Sequence, residues 1–286
     1  MKNSIKLYEK FEEYLQNNLQ SVKSFHPYFE DAMLQMFKAG GKRFRPLLLL
    51  NVVESYEPLL INNAMPIAMA LEMLHTYSLI HDDLPTFDDA PLRRGHPTLH
   101  ESFDEVTATL VGDALNSDSF YVISKAPLAS DIKIKLVEAL ALGGGSRGMV
   151  LGQAIDCYFE NKKLNIDQLI FLHTHKTAKL IATSLKMGAI IVNLTKEKQE
   201  LLYEIGLKLG LLFQIQDDII DATLSTKEAG KPTNNDTDKN SFTNLLGIDG
   251  AVKEKRKLLN ELENELKEID LDLKNRLQNM IDKYFK

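Results

Sequence analysis

The sequence is poor in the residues that mark secreted, zinc-stapled or membrane-spanning proteins. Cys157 is the single cysteine among 286 residues, so neither an intramolecular disulfide nor a Cys/His zinc cluster is expected. No uninterrupted apolar run reaches the ~18 residues that suggest a membrane span. The N-terminal residues indicate an amphipathic helix and not a signal or transit peptide. We therefore expect a cytoplasmic protein, with Cys157 as a small buried residue.

Basic residues are also in slight deficit. The chain has 34 Lys and Arg against 40 Asp and Glu, a formal net charge of −6. Nucleic-acid-binding domains usually carry a clustered basic excess, so no nucleic-acid partner is expected. The 15 glycines and 9 prolines are spread thinly, without a linker or a low-complexity tract. That distribution favours a single domain over residues 1–286.

Apolar residues recur at helical spacing through most of the chain, whereas the alternation typical of strands is nearly absent. We expect an all-α fold of about a dozen helices. The longest predicted helices are Asn62–Asp82 and Lys196–Thr223, and both end in clusters of acids.

The first acidic cluster lies in the segment HDDLPTFDDAPLRRGHP, residues 81–97. Four carboxylates within eight residues repel one another unless a cation neutralises them. Pro85 disfavours helical geometry at Leu84 and so helps to end the preceding apolar helix near the acids. Asp82 and Asp88 are six residues apart, and they can converge only if the chain bends. The alternative is a solvated acidic loop. The cluster comprises Asp82, Asp83, Asp88 and Asp89, followed by Arg93 and Arg94.

The second acidic cluster is FQIQDDIID, residues 213–221. Its polar side chains lie at offsets of three, four and seven residues, which places them on one side of a helix. Carboxylate sites without His or Cys suit Mg²⁺, which typically takes one or two carboxylates, waters and phosphate oxygens. Two such clusters therefore suggest Mg²⁺ ions that bridge a diphosphate. The residues concerned are Gln214, Asp217, Asp218 and Asp221.

The chain also offers candidate anion ligands. GGKRFRP, residues 40–46, places three basic residues after a glycine pair at a predicted helix start, where backbone N–H groups favour anions. It is not a Walker motif, because Met36 stands where that motif requires glycine. Further candidates are Lys176 beside Thr177, and Lys231 with Lys239.

Taken together and in order, these motifs resemble the polyprenyl synthetase family, most of all the bacterial farnesyl diphosphate synthases. The matches are GGKRFRP, HTYSLIHDDLPTFDD with LRRG, GQAID at 152–156, HKT at 175–177, FQIQDDIID, and the Lys231 and Lys239 segment. The resemblance implies an isoprenoid-synthase-type helical bundle around a deep central cavity, with the acidic motifs facing each other across its mouth. It implies no membrane span and a homodimer.

The resemblance also implies an activity. The enzyme would be a Mg²⁺-dependent prenyltransferase that condenses isopentenyl diphosphate with dimethylallyl and then geranyl diphosphate, giving farnesyl diphosphate. Three Mg²⁺ ions would bind with substrate, with Mn²⁺ as a substitute. Ionisation of the allylic C–O bond needs stabilisation of the departing diphosphate by metal and by Lys and Arg.

Residue roles follow from the same resemblance. The family pattern makes Asp82, Asp88 and Asp217 direct metal ligands. It makes Asp83, Asp218 and Asp221 either further ligands or residues that support the ligands. The allylic diphosphate would be held by Arg93, Lys176 and Lys231, and the diphosphate of isopentenyl diphosphate by Lys42, Arg45, His75 and Arg94. Thr177 and Gln214 would place oxygen dipoles near the carbocation. Lys239 lies closer to Lys231 than the family pattern leads us to expect, and we include it among the substrate ligands.

Product length should be set below the first acids. Tyr77 and Ser78 stand five and four residues before Asp82, about one 5.4 Å helical turn away. A bulky Tyr77 would close the pocket, although it could also simply pack in the core. An aromatic residue at this position, together with the longer spacing of the first acidic motif, resembles the pattern of the fifteen-carbon producers of the family. Geranylgeranyl and geranyl diphosphate synthases of the same family remain alternatives.

Other classes of protein fit less well. A di-iron bundle needs paired Glu-x-x-His strings, and we find one, from Glu72 to His75. A terpene cyclase usually has a different second motif from DDIID. A non-catalytic partner subunit usually lacks one acidic motif, and both are intact here.

Overall fold

The computed structural model describes residues 2–19, 22, 24–223 and 240–286, and of residues 2–5 only the backbone. These residues are 78% helical. The all-α prediction is therefore confirmed. Among the described residues, no helix is both long and apolar enough to span a membrane. The helices before the first acidic segment are α1 (Lys2–Asn18), α2 (Tyr28–Lys38), α3 (Phe44–Tyr56) and α4 (Ile61–Asp82), with a short 3₁₀ turn at Pro58–Leu60.

The remaining elements follow in chain order. A two-stranded ribbon, β1 (Leu92–Arg93) and β2 (His96–Pro97), comes directly after the acids. The helices after it are α5 (Leu99–Ser102), α6 (Glu105–Lys125), α7 (Ser130–Gly144), α8 (Met149–Tyr158) and α9 (Ile166–His173), then a π-helical turn (Thr174–Ala178), α10 (Lys179–Ile191), α11 (Lys196–Thr223), α12 (Phe242–Glu265) and α13 (Leu271–Phe285).

The chain divides into two compact units. The first unit is Met1–Leu47 with Asn62–Ala129, and the second is Leu48–Ile61 with Ser130–Lys286. In the first unit, α4 is buried over most of its length, and its Ala, Leu and Met residues favour a helix. In the second unit, every residue of α10 from Leu180 to Leu185 is buried, and this helix packs against α7 and α11.

Both long helices end where the sequence indicates. α4 runs from Ile61 to Asp82, one residue longer than predicted, and α11 spans the predicted Lys196–Thr223. Pro85 follows the end of α4 by three residues, as its effect on the preceding backbone requires. Each acidic cluster is thus at the C-terminal end of a long helix.

The ribbon was not predicted, because two-residue strands leave no alternating pattern. Leu92 pairs with Pro97 and Arg93 pairs with His96 in antiparallel register. The two residues between the strands, Arg94 and Gly95, have φ of 55° and 78°. Positive φ at both central residues is the backbone of a type I′ hairpin turn. The LRRG motif is therefore a hairpin that carries Arg93 on a strand and Arg94 at its turn.

Cys157 corrects a further expectation. The cysteine lies near the end of α8 and is exposed, whereas we expected it to be buried. Its Sγ accepts a hydrogen bond from Gln153 Nε2 one helical turn earlier, at 3.6 Å. Cys157 is five positions after the buried Gly152, which places it about 140° around α8 from that residue.

Candidate active site

The first unit brings Asp88 back to Asp82 through a tight bend. The backbone N–H of Asp88 donates to the carbonyl of Asp82 at 3.0 Å, and that of Ala90 donates to the carbonyl of Asp83 at 3.1 Å. Asp89 takes a positive φ of 45°, which Asp tolerates better than most residues. The chain therefore bends as convergence of the two acids requires.

The two neighbouring aspartates of this segment have different surroundings. Asp82 is half-buried and Asp88 is exposed, but Asp83 is only 1% exposed. Both oxygens of Asp83 accept from Arg93 Nε, at 2.6 and 2.8 Å, and Nη2 of Arg93 lies 2.5 Å from Oδ1. Burial raises the pKa of Asp83, while the Arg93 guanidinium lowers it. This bidentate ion pair engages Asp83 with Arg93 rather than leaving both its oxygens for a metal.

The basic segment is arranged around two side chains of α4. Arg43 is fully buried and its Nη1 donates to Glu72 Oε1 at 2.9 Å, while Arg45 Nη1 lies 3.0 Å from His75 Nε2. Glu72 and His75 are the two ends of the single Glu-x-x-His string in the sequence. Each of them is therefore hydrogen-bonded to one arginine of the basic segment. Lys42, which lies between Gly41 and Arg43 in the sequence, is exposed.

His75 is electrically neutral in this arrangement. Its pKa lies well below the ordinary value because of burial and because Arg45, Arg94, Arg93 and Arg43 are nearby. Arg45 can only donate, so Nε2 of His75 accepts and the ring proton is on Nδ1. Burial lowers the pKa of Arg45 to about 10, so Arg45 is a cation at neutral pH. The geometry makes His75 a side chain that orients Arg45.

Arg94 is the remaining cation predicted in this unit. Its Nη1 donates to the carbonyl of Gly40. A Cβ at Gly41 would lie 2.8 Å from that same nitrogen, so the second glycine of the pair leaves room for the guanidinium. Burial lowers the pKa of Arg94.

Tyr77 and Ser78 lie in the last two turns of α4. Tyr77 is buried and its ring packs edge-on against His81, with the centroids 5.5 Å apart. Burial raises the pKa of its phenol. Ser78 Oγ donates to the carbonyl of His75 at 2.8 Å.

In the second unit, Lys176 and Thr177 are on the π-helical turn. Such turns contain one residue more than an α-helical turn and are frequent at functional sites. α8 approaches this turn closely, because a Cβ at Gly152 would lie only 2.0 Å from the backbone nitrogen of Lys176. Lys176 Nζ donates to Asp156 Oδ2 at 2.5 Å. The GQAID motif thus supplies both the glycine and the acid that meet the π turn.

The second acidic cluster repeats the division seen in the first. Asp217 is half-buried, whereas Asp218 is 8% and Asp221 is 9% exposed. Asp218 Oδ1 accepts from Gln214 Nε2 at 2.9 Å, and its Oδ2 accepts from the backbone N–H of Phe242 at 2.7 Å. Gln214 Oε1 in turn accepts from Thr177 Oγ at 3.1 Å. A chain of hydrogen bonds therefore joins the π turn, α11 and the start of α12.

His173 lies beside this network and escaped the sequence analysis. Its ring stacks on Phe242 with centroids 5.5 Å apart. Burial and then the nearby Lys176 lower its pKa to about 4, although Asp156 acts in the opposite direction. Lys231 and Lys239, which we predicted as substrate ligands, lie outside the described residues.

The donor set fits magnesium in its chemistry. Among the described residues, no three His, Cys, Asp or Glu side chains come together as a metal-ligand cluster. Mg²⁺ is commonly held by one or two carboxylates, with waters and substrate phosphates completing the octahedron. The exposed or half-buried carboxylates Asp82, Asp88 and Asp217 meet that requirement with oxygen donors alone.

Comparison with known proteins agrees with these features. The family model of the polyprenyl synthetases matches residues 26–280. A farnesyl diphosphate synthase from Micrococcus luteus is 41% identical over 252 residues, which are 85% of this chain and 84% of that protein. A geranylgeranyl pyrophosphate synthase from Catharanthus roseus is 40% identical, covering 84% of this chain and 68% of that protein.

A solved structure is similar over nearly the whole chain. It is the geranyltransferase from Helicobacter pylori complexed with magnesium and isoprenyl diphosphate, with a TM-score of 0.93, 46% identity, and coverage of 99% of this chain and 97% of that one. The helical fold and the two acidic segments define a prenyl-transferring enzyme of the isoprenyl synthase type. The chain belongs to the polyprenyl synthetase family.

Proposed function

We propose that this enzyme condenses isopentenyl diphosphate head-to-tail with dimethylallyl and then geranyl diphosphate, releasing diphosphate and giving farnesyl diphosphate. The observation that carries the proposal is that each acidic segment presents an accessible aspartate beside a buried one. Several farnesyl diphosphate synthases share about 40% identity over most of the chain. The enzyme is a prenyltransferase.

Asp82, Asp88 and Asp217 are the proposed direct ligands of magnesium. Mg²⁺, when bound, neutralises and orients the oxygens of the diphosphate leaving group. Asp83 and Asp218 would stand behind these ligands, because their oxygens already accept from Arg93, Gln214 and Phe242. Asp221 remains a further ligand or a supporting acid. We also propose that three ions bind with substrate and that Mn²⁺ substitutes for Mg²⁺.

The cations divide between the two substrates. Arg93 and Lys176, with Lys231, would hold the allylic diphosphate and stabilise the charge that develops on it as the C–O bond breaks. Lys42, Arg45 and Arg94 would hold the diphosphate of isopentenyl diphosphate, with His75 orienting Arg45. Lys239 is proposed as an additional substrate ligand.

Thr177 and Gln214 would stabilise the allylic cation. Thr177 donates its only O–H to Gln214, so the lone pairs of Thr177 Oγ remain available to a positive charge. The double bond of isopentenyl diphosphate then attacks the cation, forming the new C–C bond. The C2 proton that is lost passes to the released diphosphate, which restores an allylic product.

Tyr77 is the proposed determinant of product length. It is buried in α4 and packed against His81, so its ring is held in a fixed orientation. We expect Tyr77→Ala to shift the products from fifteen towards about twenty carbons, because the lost ring leaves space in which a longer chain fits. Products dephosphorylated to their alcohols and separated by chromatography will report the length. An unchanged product distribution would remove Tyr77 from this role.

The reaction is tested directly with the purified enzyme. Isopentenyl diphosphate and Mg²⁺ are incubated with dimethylallyl, geranyl or farnesyl diphosphate, and the product alcohols are identified. We expect farnesol from the first two substrates and little elongation of the third. Efficient elongation of farnesyl diphosphate would favour the second candidate, a geranylgeranyl diphosphate synthase, which the Catharanthus roseus relative supports. No condensation with any allylic substrate would contradict the proposal.

We further propose that the chain forms a single domain and a homodimer and acts in the cytoplasm. The family model spans parts of both compact units, which supports one domain. α6 exposes Val106, Leu110 and Tyr121, which recur at helical spacing and would be covered by a second copy. Light scattering coupled to size-exclusion chromatography should give twice the 32.4 kDa mass of the chain. A monomer mass would contradict the dimer.

A further inference from the structure

The basic loop, residues 40–45, receives two contacts from α1. Tyr8 Oη donates to the carbonyl of Gly41 at 3.1 Å, and Arg43 Nε donates to Glu12 Oε1 at 2.6 Å. The family model begins only at residue 26, so α1 precedes the part of the chain that it matches. From the sequence alone, α1 is only an amphipathic helix.

The side chain of Arg43 is buried inside the protein. Its side chain is 0% exposed, and its three nitrogens donate to Glu12, to Glu72 and to the carbonyl of Phe37. A buried arginine that loses one of its carboxylates is left with uncompensated charge, so both acids matter to its position. Arg43 is thus the internal anchor of the loop, while Lys42 beside it is exposed.

The backbone at this anchor is strained. Arg43 has a φ of 47°, in the left-handed region that residues other than glycine, Asn and Asp seldom adopt. Such a conformation persists only where the surroundings hold it. Glu12 on α1 and Glu72 on α4 do so from two separate helices.

The peptide groups on the other side of Lys42 are held as well. The carbonyl of Gly40 accepts from Arg94, and that of Gly41 accepts from Tyr8. Tyr8 therefore fixes the peptide that links Gly41 to Lys42, and Glu12 fixes the side chain that follows Lys42. The two residues are four positions apart and so lie on one face of α1.

We propose that α1 is a positioning element for the basic loop, and that Tyr8 and Glu12 hold Lys42 and Arg45 in the geometry that binds the diphosphate of isopentenyl diphosphate. The inference rests on the proposed function for the identity of this substrate. Neither residue touches the substrate. Both act through the loop.

The test compares Glu12→Gln and Tyr8→Phe with two matched controls on the same helix, Glu13→Gln and Tyr14→Phe. The first pair removes a charge or a hydroxyl that contacts the loop, and the controls remove the same groups from other positions of α1. We expect the KM for isopentenyl diphosphate to rise about threefold to tenfold in Glu12→Gln and less in Tyr8→Phe. The turnover number and the KM for geranyl diphosphate should stay within about twofold of the wild type.

A binding measurement separates this inference from the proposed function. Calorimetry with isopentenyl diphosphate alone should show the same loss of affinity in Glu12→Gln, whether or not the wild type catalyses condensation. Absence of condensation in the wild type would contradict the proposed function, not the role of α1. Unchanged affinity for isopentenyl diphosphate in both variants would overturn the positioning role. A fall in thermal stability that raises both KM values equally would overturn it too, because it would indicate a merely structural contact.

Discussion

Each compact unit contains one half of the candidate site residues, and the two halves are held in place by different interactions. In residues 40–94 buried ion pairs are prominent among the supporting contacts: Arg43 pairs with Glu72 and with Glu12 of α1, and Asp83 pairs with Arg93. In residues 152–242 the supporting contacts are mostly hydrogen bonds from neutral donors and close backbone packing: Thr177 to Gln214, Gln214 to Asp218, Phe242 N–H to Asp218, and Gly152 against the π turn. The ion pair of Lys176 with Asp156 is the exception in the second group.

The two halves should therefore be sensitive to different kinds of substitution. Removing a charge from a buried ion pair leaves its partner uncompensated, whereas replacing a carboxylate whose donors are all neutral leaves no buried charge unpaired and costs less. A closely packed backbone, in contrast, cannot accept added volume. We expect charge substitutions to damage the first half more, and volume substitutions to damage the second.

The largest effect should be common to both halves. Asp82→Asn and Asp217→Asn should each lower kcat by about 10²–10³, because a proposed metal ligand is lost. Neither should change the thermal midpoint much, since neither residue is fully buried. Steady-state kinetics and far-UV circular dichroism will measure the two properties. Near-normal turnover in either variant would show that the two aspartates do not contribute equally to metal binding.

The next largest effect should come from added volume at the π turn of the second half, and it should lower both stability and kcat. In Gly152→Ala the new Cβ would meet the backbone of Lys176 at 2.0 Å, so α8 or the turn must move. We expect a loss of about 3 kcal/mol in the free energy of unfolding, measured with urea, and a lower kcat. Ala154→Ser is the control, since it adds an atom at an exposed position of α8. Wild-type stability in Gly152→Ala would refute the importance of this packing.

Neutralising the two buried aspartates provides the direct comparison. Asp83→Asn should cost about 2 kcal/mol of stability because Arg93 loses its carboxylate, a value reduced by the 26% exposure of the Arg93 side chain. Asp218→Asn should cost about 1 kcal/mol, because its donors are neutral and one amide oxygen remains. Urea unfolding gives both values, with the exposed Asp89→Asn as control. Equal losses, or a larger loss in Asp218→Asn, would break the distinction between ionic and neutral support.

The last comparison concerns the dependence of stability on pH, and it involves His173. Its pKa falls from 6.5 to about 4 on folding, chiefly through burial. The unfolded chain therefore takes up this proton first, so stability is present above pH 6.5 and is lost as the pH falls from about 6.5 to 4. We expect the loss over this interval to be about 2–3 kcal/mol smaller in His173→Phe than in the wild type. Parallel curves for the two proteins would show that His173 does not titrate in this way.

Helix ends and acid placement were predictable because they depend on local sequence. The apolar run before Asp82 and the break at Pro85 place the first acids at the end of α4, and the offsets within FQIQDDIID place the second set along α11. The burial of neighbouring acids on one helix was not predictable in the same way, however. Neighbours on a helix are separated by about 100°, so Asp217 is half-buried while Asp218 is buried.

Long-range partners were not predictable from one sequence. Arg43 and Glu72 are 29 residues apart, and Asp218 and the N–H of Phe242 are 24 apart. Helical periodicity says nothing about which helices pack together. In the sequence, Glu72 stands out only as part of an isolated Glu-x-x-His string. The structure shows that Glu72 and His75 each accept a hydrogen bond from an arginine of the basic loop.

The π turn has a consequence for how the length of this chain can vary among its relatives. Within an α-helix, deleting one residue rotates every later side chain by about 100° and so removes apolar residues from the core. The turn at Thr174–Ala178 already contains a surplus residue, so losing one there would leave α9 and α10 in phase as one regular helix. Such a deletion would be tolerated by folding and opposed by catalysis, because it would reorient Lys176 and Thr177. The length of this segment should accordingly be constrained by the reaction rather than by the core.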